Sequence, residues 1–86
     1  MEMKVLLLVP KVAYDRLLLS CEKQDPKYQL LRNGLLETGS NGVQQVRILC
    51  DPDKAQTILE LARKTSPDTF AAIRKIRNLP DQFSPD

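Results

Sequence analysis

The stretch Val43-Gln-Gln-Val-Arg-Ile-Leu-Cys50 (VQQVRILC) decides how this chain folds. It carries several β-branched residues, which favour the pleated, half-buried surface of a strand. Yet Val43, Val46 and Cys50 also fall at i, i+3 and i+7, one face of a helix. A second run, Lys4-Val-Leu-Leu-Leu-Val9 (KVLLLV), is continuously apolar and suits a buried strand. Segments this short satisfy either period, so their pattern alone leaves both readings open.

Outward from these two runs the signals are helical. Asp25-Pro26, Asp51-Pro52 and Ser66-Pro67 each place a capping oxygen directly before a proline. The side-chain oxygen accepts from an unpaired first-turn amide, and proline fits the next position because its missing N–H is not needed there. Asp53 and Asp68 follow where the positive end of a helix favours an acid. After Asp51, the residues Ala55, Ile58, Leu59 and Ala62 form one apolar stripe. After Ser66, Phe70, Ile73 and Ile76 line one side; after Asp25, Tyr28, Leu31 and Leu35 do the same until Asn33-Gly34 offers a stop. Pro10 reads as a first-turn residue of a further helix, with Val12, Ala13, Leu17, Leu18 and Cys21 on a broad apolar face. Gly39-Ser40-Asn41-Gly42 is a turn. These signals together predict an all-α, short-helix bundle. The alternative is an α+β, ferredoxin-like βαββαβ fold, in which both ambiguous runs are strands.

A length of 86 residues allows one domain, expected over residues 1–79, with residues 80–86 a flexible tail marked by Pro80 and Pro85. Only four residues are aromatic, so the core must come from Leu, Ile, Val and Ala. The longest apolar run, Val5–Val9, is too short for a secretory or membrane-spanning segment, and a cytoplasmic or nuclear protein is expected. Cys21 and Cys50 are too few for a disulfide framework or zinc site, so two free thiols are expected; the alternative, one bridge between them, is not excluded by their spacing.

The residue types also restrict the chemistry. The chain has no histidine, and hence no ordinary general base at neutral pH. None of its three glycines begins a phosphate-binding loop. Asp51 and Asp53 have the spacing of a carboxylate pair but sit where helix capping accounts for them. A non-catalytic protein without metal or cofactor is expected. Charge is uneven: residues 54–77 hold Lys54, Arg63, Lys64, Arg74, Lys75 and Arg77 against Glu60 and Asp68. Such a basic segment suits an acidic protein partner or nucleic acid, and most such charges simply face water. On a helical wheel Leu61 lies about 100° off the Ala55–Ala62 stripe, flanked by Lys54 and Lys64, as a contact centre would be.

The segments Leu30–Leu49 and Asp53–Arg77 resemble a caspase-recruitment domain of the death-fold superfamily, over about residues 30–77. The likeness lies in an LL-x-x-G-L-L helix ending, a turn, a basic-apolar helix and a Phe-Ala helix ending in charge. The resemblance implies a six-helix death fold and an adaptor that recruits a related helical domain. It implies a basic side at Arg16, Lys54, Arg63 and Lys64, and an acidic side at Asp25 and Glu37. Leu8–Leu18 (LVPKVAYDRLL) is also similar to the start of proteins from large virus-like DNA transposons, which implies no activity. Should the chain bind nucleic acid through its basic C-terminal face, the residues expected to do so are Arg74, Lys75 and Arg77.

Overall fold

The computed structural model, which describes residues 3–80, contains four strands and four helices, with two helices in each strand-to-strand crossover. They run β1 (Met3–Pro10), α1 (Lys11–Leu19), α2 (Pro26–Arg32), β2 (Leu35–Thr38), β3 (Gln44–Cys50), α3 (Pro52–Thr65), α4 (Pro67–Ala72) and β4 (Arg74–Pro80). The strands form one sheet in the order β2-β3-β1-β4, with every neighbouring pair antiparallel. Two interleaved β-helix-β units with both helical connections on one face make a ferredoxin-like βαββαβ sandwich.

The all-α expectation, and with it the six-helix death fold, is therefore corrected. Val43–Cys50 fails to form a helix because β1 supplies a partner for it: Val5 pairs with Cys50, Leu7 with Ile48 and Val9 with Val46. That ladder satisfies the backbone of both ambiguous runs at once. It also sends Val5, Leu7, Val9, Val46, Ile48 and Cys50 to the same side, where all six join the core. The apolar residues at Ile73 and Ile76 do not extend α4 either. That helix stops at Ala72, and Ile76 belongs to β4 opposite Leu6.

All three Asp/Ser-Pro starts do open helices. Asp25 accepts from the Lys27 amide at 2.9 Å. Ser66 accepts from the Thr69 amide at 3.0 Å and donates its own hydroxyl proton to Thr69 Oγ1 at 2.9 Å, which satisfies a buried threonine. Asp51 has the backbone of a cap but turns its carboxylate to Lys4 instead. Pro10 closes β1 and is the residue before α1 rather than its first. β4 reaches Pro80, one residue past the domain limit read from the sequence; residues 81–86 lie outside the described part.

Leu7, Leu17, Leu31, Ile48 and Ile58 are fully buried between the sheet and the helices. Each contributes roughly 1.5–3 kcal/mol of burial. Tyr14 ties the helical layer together by donating at 3.0 Å to the Leu31 carbonyl at the end of α2, which also accepts from the Gly34 amide at 3.1 Å. No helix among the described residues is long and apolar enough to cross a membrane.

Candidate binding surface

Side chains alternate across a strand, so the residues between the core positions of β1 and β3 must face away from the helices. On β1 these are Leu6 and Leu8, and on β3 Gln45, Arg47 and Leu49. Cross-strand register extends the set. Leu6 lies opposite Leu49 and Ile76, and Leu8 opposite Arg47 and Arg74. Leu35 lies opposite Arg47, and Glu37 opposite Gln45.

The open face that results is apolar along its middle and charged at intervals. Leu6 is only 8% exposed although it stands outside the helix-side core, because its neighbours Leu49 and Ile76 crowd it. Leu49 and Leu35 are 49% and 68% exposed. Glu37 accepts from Gln45 Nε2 at 2.8 Å and lies 3.7 Å from Arg47, which holds the edge of the face in one arrangement. At the other end Lys4 pairs with Asp51 at 2.8 Å. Arg74 is exposed, and no acidic partner for it is found among the described residues.

The residues expected from the sequence to bind a protein are scattered by this fold. Leu61 is half-buried and packs against the core, so it is no exposed contact centre. Lys54 and Lys64 are exposed at opposite ends of α3, about 15 Å apart along the axis at 1.5 Å per residue. Arg63 stacks over the Phe70 ring, 4.8 Å from its centroid, and so couples α3 to α4. Arg16 is exposed near the end of α1, a turn before Ser20, whose hydroxyl is 3.5 Å from that of Thr65 at the end of α3. Arg16, Arg63 and Lys64 therefore share one end of the helical layer, while Lys54 sits at the other. Asp25 caps α2 and lies 3.7 Å from Lys27, whereas Glu37 stands on the far face of the sheet. The two acids thus belong to opposite layers and form no common acidic side.

The nucleic-acid set is divided as well. Arg74 points to the open face and Lys75, one residue on, to the helical side beside Arg63 and Phe70. The Arg77 side chain lies outside the described part. Sequence reasoning missed Leu35, Arg47 and Leu49 as surface candidates. The signal was present in the alternation of Gln45, Arg47 and Leu49 with Val46, Ile48 and Cys50, but only for a reader who had already made the segment a strand.

Comparison of the chain with family models, with curated proteins and with solved structures finds no match.

Proposed function

We propose that the chain is a non-catalytic, adaptor-like protein-binding module whose contact surface is the open face of its sheet. The observation that carries this reading is the coexistence on one flat face of exposed leucines, Leu35 and Leu49, with Arg47 and Arg74. An apolar centre with charged surroundings is the make-up of a recognition patch: desolvated apolar contacts supply energy, and charges set partner choice and encounter rate. The partner is a protein surface with apolar side chains beside carboxylates. Support for a non-catalytic role comes from the lack of histidine and from the engagement of Asp15, Asp25, Glu37 and Asp51 in ion pairs or caps. A cytoplasmic or nuclear location belongs to the same reading and fits two unbridged cysteines.

Nucleic acid is the weaker partner. Sheet-face binding of single strands draws on aromatic side chains on which bases stack, and Tyr14, Tyr28 and Phe70 all lie on helices. The test is affinity capture with the wild type and three variants. Leu49→Asp and Arg74→Glu should each lose the captured protein, whereas Lys64→Glu, on the helical side, should keep it. Retention by Leu49→Asp sinks the reading. So does micromolar binding of single-stranded RNA or duplex DNA in physiological salt, with affinity falling steeply as salt rises.

A further inference from the structure

The sheet has two edges, and they differ. On β4 the described edge carries Arg74 and Lys75, long cations of the kind that discourage strand addition. On β2 the sequence is Leu35-Leu36-Glu37-Thr38, and both leucines are more than half exposed. The direction of the backbone groups on β2 follows from the hairpin. Gly39 donates to the Val43 carbonyl at 2.8 Å, so the Gly39–Val43 pair is hydrogen-bonded. Bonded pairs alternate along an antiparallel ladder. Leu35 and Glu37 therefore spend their amides and carbonyls on β3, and those of Leu36 and Thr38 point outward.

We propose that two copies of this chain pair antiparallel through their β2 edges, about a two-fold axis at Leu36, joining two four-stranded sheets into one. Three close registers place the outward groups of Leu36 and Thr38 of the two copies against each other, and an axis at Thr38 sets Leu36 opposite Ser40, beyond the end of β2. An axis at Glu37 sets the two Glu37 carboxylates directly opposite, a like-charge pair that destabilises a sheet. An axis at Leu36 instead pairs the two exposed Leu36 side chains and sets each Glu37 opposite Leu35 of the other copy. It also lets each Thr38 N–H reach the Gly34 carbonyl of the other copy; the Gly34 N–H already bonds to Leu31. The surface is thus self-complementary, as a two-fold contact requires. Because β2 is only four residues long, the interface falls at the small, weak end of the known range. Association joins the two open faces side by side without using either.

Sedimentation equilibrium of the full chain from about 10 µM to about 1 mM, the span expected of a weak contact, tests this. The apparent mass should climb from 9.8 kDa toward twice that value and no further. In parallel, amide exchange at Leu36 and Thr38 should slow with concentration, while Leu35 and Glu37 stay protected throughout. Leu36→Lys and Leu36→Pro should remain monomeric with a normal thermal transition. The proline removes only an outward N–H, and the lysine variant decides the matter if the proline variant does not fold. Leu49→Asp, on the open face, should associate as the wild type does. A monomer mass up to 1 mM overturns the proposal, as does unchanged association of Leu36→Lys. Growth past the dimer, or loss of association in Leu49→Asp alone, would replace it with strand pairing to β4 or with face-to-face packing.

Discussion

Asp51 occupies the position of a helix cap and spends its carboxylate on Lys4, 47 residues earlier. The hydrogen bond from Lys4, and then its charge, hold the Asp51 carboxyl below its ordinary value of 3.8. A carboxyl with a lowered pKa in the folded state binds fewer protons there than in the unfolded chain. Its stabilising effect is therefore complete above the unfolded value and fades as the pH falls through the folded one. We expect Asp51→Asn to lower the urea midpoint at pH 7 and to converge on the wild type as the pH falls well below the ordinary value of 3.8. A constant difference across that range would show that the ion pair is not the cause. Cys50 is governed by burial, which pushes its thiol up and leaves little reactive thiolate. Cys21 is half-exposed. A disulfide-exchange reagent should therefore modify Cys21 rapidly and Cys50 slowly in the native protein, and both at once in urea. Equal native rates would show that Cys50 is open to solvent.

Among the elements, β2 depends most on a single residue. A Cβ at Gly34 would lie 2.5 Å from Val46 Cγ1 and 3.0 Å from Ile48 Cγ1, so β2 can leave α2 and meet β3 only where no side chain intervenes. Gly34→Ala should cost about 1–3 kcal/mol, the usual range for overpacking a tight core; urea denaturation with an unchanged m-value would check it. The sequence shows the glycine after Asn33 as a helix stop, which it is: α2 ends at Arg32. It does not show the second duty, because Val46 and Ile48 approach Gly34 only once the hairpin has closed. Helix starts were legible for a related reason. Asp25 and Ser66 bond to amides two and three residues away, so the physics is local. The Val43–Cys50 segment was not, since its state is decided by β1, some 40 residues earlier in the chain.

For the molecule as a whole, the same separation explains why the surface was harder to read than the helices. The stripe Ala55, Ile58, Leu59 and Ala62 was visible, but α3 is covered from more than one direction and takes Leu61 inward too. A charge placed at Leu61 would therefore disturb the core and say little about a partner. The strand order has one more consequence, for the chain as it is made. β1 emerges before its two neighbours, and it lies in the middle of the sheet, between β3 and β4. It finds its first neighbour only when residues 44–50 have been synthesised, and its second only with residues 74–80. Until then Leu6 and Leu8 sit beside an unfilled slot, and any nascent chain that stalls before residue 74 carries that slot exposed. The central strand β1 is thus complete only after both of its later partners have been made, and until then its open side is a template for misassembly.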